Sequence, residues 1–367
     1  MAIVAGFDVH RAQITFDAVD TETGELSRGR IDASRAAVST WVKRFPGKRV
    51  EVALEAATGW LFVCEELSEA GATPHLAEPA ETSARRGSKR RAKTDRGDAR
   101  HLRELLSEGR LPEAWLPPAH VCEWRTRTRL RRTLVAQRTE WLQRIRATLF
   151  QHGVPAGEVP ARLLGRQGRA FLARLELPPA AERIEVSLAL IEAIEAQLAP
   201  LERQLRRLAR SQPGCQALLR QHGIGELLAP TILCELRDVS RLSSSRKAVR
   251  AVGLDVGVHR SDRRSRVGKL TKQGSPHARW ALYEAAQSAC RRTSPEHASY
   301  LALKGRGLSH TRLADDRAQA RPALLPRAAA AWPGRPSARR RLSDAERADR
   351  ARRARPDGSD PCGLLPQ

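Results

Sequence analysis

The first 118 residues alternate between short apolar strands and amphipathic helices, and this alternation limits the fold more than any other feature. Strand-like and helix-like periodicities follow each other in the order β-β-β-α-β-α-β-α. The expected strands cover residues 3–7, 13–19, 26–31, 49–54 and 73–76, and the expected helices between them cover 34–44 and 59–70. This order predicts an α/β mixed sheet with helices, whose first three strands form an antiparallel meander. A dinucleotide-binding fold is excluded because no Gly-rich turn follows the first strand.

The remaining chain divides into three regions by composition. Residues 119–212 are expected to be helical, and residues 213–312 to form a small, mainly helical domain. Apolar residues between Ile184 and Leu208 recur every three or four positions. This stripe fits a helical hairpin or coiled coil, and a plain amphipathic helix on a globular core fits it equally well. Residues 313–367 are rich in Arg, Ala and Pro and are expected to be disordered; a basic nucleic-acid-binding tail or a late shift of the reading frame are the alternatives.

The chain is strongly basic: 65 Lys and Arg face 41 Asp and Glu, and the formal net charge is +24. This excess favours a polyanionic partner, because each neutralised phosphate releases counterions. A basic protein without a nucleic-acid role is the alternative, since a GC-rich coding sequence also enriches Arg. With no apolar run of roughly 18 residues and no signal peptide, we expect a cytoplasmic, nucleoid-associated bacterial protein. The six cysteines lack C-x-x-C spacing, which argues against a zinc site and against disulfides.

Four acidic residues stand where two expected strands end and where a helix begins. Asp8 follows the first strand, Glu55 follows the fourth, and Asp95 and Asp98 lie three residues apart on one helix face. If the first and fourth strands are neighbours, all four carboxylates meet at one sheet edge. Carboxylates so close need cations, and two Mg²⁺ about 4 Å apart serve phosphodiester chemistry in ribonuclease H-like nucleases and recombinases. Each acid taken alone also fits a turn or a helix cap.

A short glycine motif, His222-Gly223-Ile224-Gly225, precedes an expected apolar helix at 227–236. Two glycines before a helix are typical of helix-hairpin-helix modules, whose backbone amides face a DNA phosphate. A tight turn between two helices that binds no ligand explains the same residues equally well.

Several sequence blocks resemble the DEDD insertion-sequence transposases of the IS110 family. In the N-terminal region the blocks are GFDVH at 6–10, LEAATG at 54–59 and KTDRGDA at 93–99. In the C-terminal region they are GIG at 223–225, APTIL at 229–233, GL at 253–254, Ser261 and GKLTKQG at 268–274. The resemblance covers residues 3 to 310 and joins two unrelated sets of blocks in the family's order.

The resemblance implies a RuvC-like DEDD catalytic domain, a helical coiled-coil region and a serine-bearing transposase domain, at residues 1–118, 119–212 and 213–312. It implies that Mg²⁺ is bound by the catalytic acids Asp8, Glu55, Asp95 and Asp98. Ser261 matches the family's nucleophilic serine, which attacks a DNA phosphate and holds a phosphoserine link. Some members are guided by an RNA from the element, which pairs with donor and target DNA. Because the two sites lie on different domains, we expect a homodimer or homotetramer.

Ser261 lies among arginines, which suits a serine that attacks a phosphate, because cations offset the charge of the transition state. The sequence departs from the family's pattern at Asp262, where Gly is expected, and at Val256, where Pro is common. An ordinary DNA-contacting serine has the same surroundings, and Ser265 competes for the role. Basic residues beside both sites are expected to contact a nucleic-acid backbone: Arg85, Arg86, Lys89, Arg90, Arg91, Lys93, Arg263, Arg264, Arg266, Lys269 and Lys272.

Three functions are compatible with these residues. The first is a DNA transposase or recombinase that uses Mg²⁺ at the acidic site and Ser261 as the nucleophile. The second is a structure-specific DNA nuclease that uses the four carboxylates and water, without a covalent intermediate. The third is a non-catalytic nucleic-acid-binding protein in which the acids form turns.

Overall fold

A computed structural model describes residues 2–86, 94–236, 242, 244–261 and 264–305. The expectations for Lys89, Arg90, Arg91, Lys93, Asp262, Arg263 and the tail at 313–367 therefore lie outside the described residues. The chain divides into two compact units, Met1–Ala119 and His120–Gln367.

The first unit is built on a five-stranded mixed sheet with the strand order β3-β2-β1-β4-β5. Its strands are β1 (Ala2–Val9), β2 (Gln13–Asp20), β3 (Leu26–Asp32), β4 (Arg49–Glu55) and β5 (Thr73–Ala77). The first three are antiparallel neighbours, whereas β1 with β4 and β4 with β5 pair in parallel. The predicted order of elements and the antiparallel meander are confirmed, and the first and fourth strands are neighbours, which was the condition for the four acids to meet.

The helices described beside this sheet are α1 (Arg35–Lys43), α2 (Trp60–Glu69), α3 (Pro79–Ala84) and α4 (Asp95–Ser107). Alternate residues of a strand point to opposite faces, so β1 contacts helices on both faces of the sheet. Phe7 packs edge-on against Trp41 of α1, with ring centroids 4.8 Å apart. Ala53 of β4 packs with Leu102 of α4 in a separate cluster on the other face. The middle of the sheet is therefore buried on both faces, which is why its central strand β1 is almost wholly apolar.

The second unit begins with two long helices, α5 (Ala119–Gln151) and α7 (Pro178–Ser211), with the short α6 (Arg166–Arg174) between them. Ile145 and Leu149 of α5 share a buried cluster with Ile184 and Ile191 of α7. The predicted long helix at 181–210 is present. Its use as a coiled coil stays a prediction.

The rest of the described part of this unit consists of short helices and a β-hairpin. The helices are α8 (Pro213–Leu219), α9 (Leu228–Glu235), α10 (Ser245–Val252), α11 (Pro276–Gln287) and α12 (His297–Gly305). The hairpin consists of β6 (Val256–Ser261) and β7 (Arg264–Leu270), which pair antiparallel.

Gly223 lies in the turn between α8 and α9 and packs against the end of α11. Its φ is +82°, and a Cβ added there would lie 2.0 Å from the Ser288 Oγ and 2.5 Å from the Ala285 carbonyl oxygen. Both facts require glycine, so the interhelical turn explains this residue without a ligand. Contact of the motif with a DNA phosphate stays a prediction.

Two further expectations from the sequence concern the cysteines and membrane-spanning segments. No disulfide joins the described cysteines, which are Cys64, Cys122, Cys215, Cys234 and Cys290. Among the described residues, no helix is both long enough and apolar enough to cross a membrane.

Candidate metal and nucleophile sites

Helix α4 lies directly on strand β1, and Gly6 makes this contact possible. A Cβ added at Gly6 would lie 2.0 Å from the Ala99 carbonyl oxygen and 2.6 Å from the Arg103 backbone nitrogen. Backbone atoms cannot give way as a flexible side chain can, so only glycine fits here. Arg103 of α4 also forms an ion pair with the buried carboxylate of Asp17 on β2. Together these contacts hold the beginning of α4 over the end of β1.

Asp8 and Glu55 follow equivalent positions of the parallel strands β1 and β4. The last paired residues of these strands are Phe7 and Leu54, and the two acids come one position later. Asp8 is two residues after Gly6, so it shares the face on which α4 packs. Glu55 is two residues after Ala53, which contacts Leu102 of α4 on that same face. The sheet thus directs both carboxylates toward the helix that carries the other two acids.

Asp95 and Asp98 occupy the first turn of α4. The helix begins at Thr94, whose side-chain oxygen accepts a hydrogen bond of 3.1 Å from the Gly97 backbone nitrogen. Carboxylates in a first turn also stabilise the helix through its dipole. Asp95 and Asp98 therefore stabilise the start of α4 and are candidate site residues at the same time.

His10 lies beside two of the four acids, Asp8 and Asp95, and sequence reasoning did not identify it as a site residue. Its Nε2 atom lies 3.1 Å from the Asp8 Oδ2 atom and 3.6 Å from the Asp95 Oδ1 atom. One ligand atom from each of these three residues can be chosen so that all lie within 4.8 Å of one another. The two-residue spacing from Asp8 was the available signal, because it predicts the same side of an extended chain.

The electrostatics of the site favour a bound cation. Burial raises the pKa of Asp8 above its ordinary value, His10 opposes this change, and the charges of Asp98 and Asp95 add to it. The carboxylates thus disfavour one another's charged forms in a partly buried space. Carboxylate oxygens with one imidazole are a donor set that fits a divalent metal ion.

Arg86 belongs to this site by an ion pair. Its guanidinium pairs with the carboxylate of Asp98, whereas the neighbouring Arg85 donates to the Arg110 backbone oxygen. Both residues were predicted to contact nucleic acid. In the structure Arg86 holds one of the four acids in place.

Ser261 is the last residue of β6 and pairs in register with Arg264 of β7. Asp262 follows it in the sequence and lies outside the described residues. His259 pairs with Arg266 two register steps away, and both strands of the hairpin therefore carry basic residues. Lys269 also lies on β7, and Lys272 follows it with a left-handed φ of 53°.

A buried ionic network supports the elements next to this hairpin. The Glu235 carboxylate of α9, whose side chain is 1% exposed, accepts hydrogen bonds of 2.7 and 3.0 Å from the Arg129 guanidinium. The Ser275 hydroxyl, which caps α11, donates to the same carboxylate at 2.7 Å. Burial alone would raise the pKa of Glu235, but these hydrogen bonds and the charges of Arg129 and Arg125 lower it. The network ties α5, α9 and α11 together.

Two family models match the chain in tandem. Residues 5–153 match the DEDD transposase model of the IS110 family, and residues 215–302 match the model described as "Transposase IS116/IS110/IS902 family". The first match contains the acidic site and the second contains Ser261. The chain belongs to the DEDD transposases of the IS110 family. It is a transposase enzyme, and this family generally uses a divalent metal.

Two curated proteins are similar to this chain. A "Probable family 20 transposase" of Pseudomonas aeruginosa is 25% identical over 300 residues, which cover 78% of this chain and 83% of that protein. An "Insertion element IS116 uncharacterized 44.8 kDa protein" of Streptomyces clavuligerus is 26% identical over 199 residues, which cover 53% of this chain and 47% of that protein.

Proposed function

We propose that this transposase cuts and rejoins DNA with Mg²⁺ at Asp8, Glu55, Asp95 and Asp98 and with Ser261 as the nucleophile. The observation that carries the proposal is the approach of α4 to β1 over Gly6, because it brings acids from distant parts of the chain to one sheet edge. A magnesium ion there would supply charge stabilisation for phosphodiester cleavage. The oxygen-rich donor set favours Mg²⁺ over softer metals.

The protein's own residues then have separate roles. Asp8, Glu55 and Asp95 offer metal ligands, while Arg86 orients the Asp98 carboxylate. A cation would bind the ionised form of Asp8, whose pKa burial raises, and it would offset the neighbouring charges of Asp98 and Asp95.

Ser261 supplies the nucleophilic oxygen in this proposal. Its hydroxyl gives up a proton and attacks a DNA phosphorus, the P–O bond of the DNA breaks, and the leaving strand departs with a free hydroxyl group. The phosphoserine link conserves the phosphodiester bond, so the reverse attack rejoins strands without an energy-rich cofactor. The arginines close to Ser261 in the sequence support this role, because arginine offsets charge at the attacked phosphate.

The decisive experiment looks for covalent protein–DNA adducts on element-end DNA with its flanking RNA and Mg²⁺. We expect adducts with the wild-type chain and with Ser265→Ala, and none with Ser261→Ala or Asp8→Asn. Adducts that persist in Ser261→Ala would overturn the serine assignment. No cleavage in wild type with retained DNA binding would favour the non-catalytic alternative.

A metal-dependent nuclease is the second candidate function. It is favoured by the fact that all four acids belong to the first compact unit, Met1–Ala119, and need no residue of the second. Cleavage by Ser261→Ala, together with no adduct in the wild type, would support it.

We further propose a homodimer or homotetramer assembled through the helical region, with a guide RNA as an additional partner. Val186 and Leu190 of α7 are one helical turn apart and are 51% and 37% exposed. Exposed apolar residues at this spacing favour helix–helix association between copies.

We also propose that the chain divides into functional domains at residues 1–118, 119–212 and 213–312. The location that fits this function is cytoplasmic and nucleoid-associated.

A further inference from the structure

The C-terminal part of helix α7 carries a dense group of arginines, which we call the α7 arginine face. Arg203, Arg206, Arg207 and Arg210 line an open cavity of about 490 Å³ together with Ser211. None of these residues belongs to the acidic site or to the hairpin that bears Ser261.

The spacing of these arginines places them on one side of the helix. Positions separated by three, four and seven residues are neighbours on an α-helical surface. Seven residues at 1.5 Å each span about 10 Å, which is about three base-pair steps at 3.4 Å per step. The face thus matches a short stretch of duplex backbone.

Only part of the face is neutralised within the protein. The Arg210 guanidinium donates to the Glu226 carboxylate at 2.7 and 3.3 Å, and Arg206 donates to the Glu202 carboxylate at 2.8 Å. The Glu202 carboxylate also accepts a hydrogen bond of 2.9 Å from the Arg131 guanidinium, so it neutralises Arg206 only in part. Among the residues that the structure describes, Arg203 and Arg207 have no acidic partner within 4.0 Å, and both are exposed.

The fold gives no reason for this excess of charge. Like charges at i, i+4 destabilise an isolated helix, and Arg203 and Arg207 have this spacing. A favourable interaction with the helix dipole acts only within the last turn, so it accounts for Arg210 alone. A ligand with several negative charges would remove the repulsion.

We propose that the α7 arginine face binds the phosphate backbone of duplex DNA. Its planar guanidinium groups suit phosphate oxygens, which accept paired hydrogen bonds. The contact is sequence-independent and positions the DNA. The proposal rests on the proposed function only for the choice of DNA as the polyanion.

The test compares the full chain with an Arg203→Gln/Arg207→Gln variant in binding to a short mixed-sequence DNA duplex. EDTA is present throughout, so neither cleavage nor a covalent adduct enters the measurement. We expect roughly tenfold weaker binding at about 100 mM salt and a slope of log K against log salt that is shallower by about two. The expected difference in DNA binding stays the same even if the catalytic roles proposed for the acidic site and for Ser261 are wrong.

The matched control is Arg166→Gln/Arg174→Gln, which removes two exposed arginines from the ends of α6. It changes the net charge equally and leaves the α7 arginine face intact. We expect this control to lose less than twofold in affinity for the duplex. A larger loss in Arg203→Gln/Arg207→Gln would then be due to the position of its arginines and not to the change in net charge.

A second variant tests the proposal in the opposite direction. Glu226→Gln removes the acid that neutralises Arg210 and lies 4.0 Å from Arg206. We expect tighter DNA binding and a salt slope steeper by about one. Far-UV circular dichroism checks that each variant keeps its helices.

Three results would overturn the proposal. One is a loss in Arg203→Gln/Arg207→Gln no larger than that of the α6 control. Another is an unchanged salt slope. The third is a loss confined to RNA ligands with duplex DNA binding intact, which would assign the face to RNA.

Discussion

A side chain at position 6 would collide with the backbone of α4, and this residue controls the geometry of the acidic site. We expect Gly6→Ala to lower the free energy of unfolding by about 1–3 kcal/mol, because α4 must move away from β1 to admit the methyl group. Asp95 and Asp98 would move with it, so cleavage activity should be lost as well. Denaturant unfolding and a DNA cleavage assay measure the two effects.

The control for this substitution is Gly157→Ala, since no atom lies within 4 Å of a Cβ built there. It should change stability by less than about 0.5 kcal/mol and leave cleavage intact. A Gly6→Ala variant with wild-type stability and activity would show that α4 does not need this close approach.

His10 adds a nitrogen donor to a site of oxygen donors. We expect His10→Ala to weaken Mn²⁺ binding by roughly tenfold and Mg²⁺ binding less, because imidazole suits Mn²⁺ better than Mg²⁺. Electron paramagnetic resonance of free Mn²⁺ measures the first affinity without DNA, and competition with Mg²⁺ measures the second.

His152→Ala serves as a control, because His152 is exposed and belongs to the second unit. Equal losses for both metals, or no loss, would mean that His10 contacts Asp8 and Asp95 without binding the ion.

At the scale of elements, the Glu235 network joins three helices through one buried carboxylate. We expect Glu235→Gln to lower the free energy of unfolding by about 2–3 kcal/mol at neutral pH, since Arg129 and Ser275 lose a charged partner. The exposed pair of Arg138 and Glu195, 3.5 Å apart, gives the control Glu195→Gln, which should cost under about 1 kcal/mol.

The same carboxylate predicts a pH dependence. The pKa of Glu235 is lowered in the folded protein, so its stabilising contribution is present above the unfolded-state pKa of about 4.3. That contribution is lost as the pH falls through the lower, folded-state value. Denaturant unfolding between pH 7 and about pH 3.5 should therefore show a smaller acid-induced loss in Glu235→Gln than in wild type. Parallel losses in both proteins would contradict the assignment.

The elements themselves were largely predictable from local patterns. The strands β1, β2 and β4 follow runs rich in apolar residues. Helix α4 begins after Thr94, because a threonine side chain can cap a helix whose first turn carries acids. The pairing of Arg86 with Asp98 was not predictable, because a basic run before two acids is equally consistent with a contact to nucleic acid. Only the packing of α3 and α4 in the folded unit decides where that guanidinium lies.

At the scale of the whole molecule, the net charge of +24 predicts salt-dependent binding to DNA. We expect duplex affinity to fall by roughly a hundredfold or more between about 50 and 200 mM salt, because several phosphate contacts release counterions. Fluorescence anisotropy with a labelled duplex measures this. Affinity that does not change with salt would mean that the excess arginine reflects codon composition alone.

The amino-acid sequence by itself determined the strand and helix order of the first unit, the membership suggested by two separated motif sets, and the acids Asp8, Glu55, Asp95 and Asp98 as site candidates. These features depend on residues close together in the chain, and periodic sequence patterns or short motifs therefore predict them. Only the folded structure shows that α4 lies on β1 over Gly6, that His10 lies beside Asp95, and that Arg86 pairs with Asp98. Such contacts join residues far apart in sequence, and their existence depends on which surfaces can approach within van der Waals distance once the core has formed.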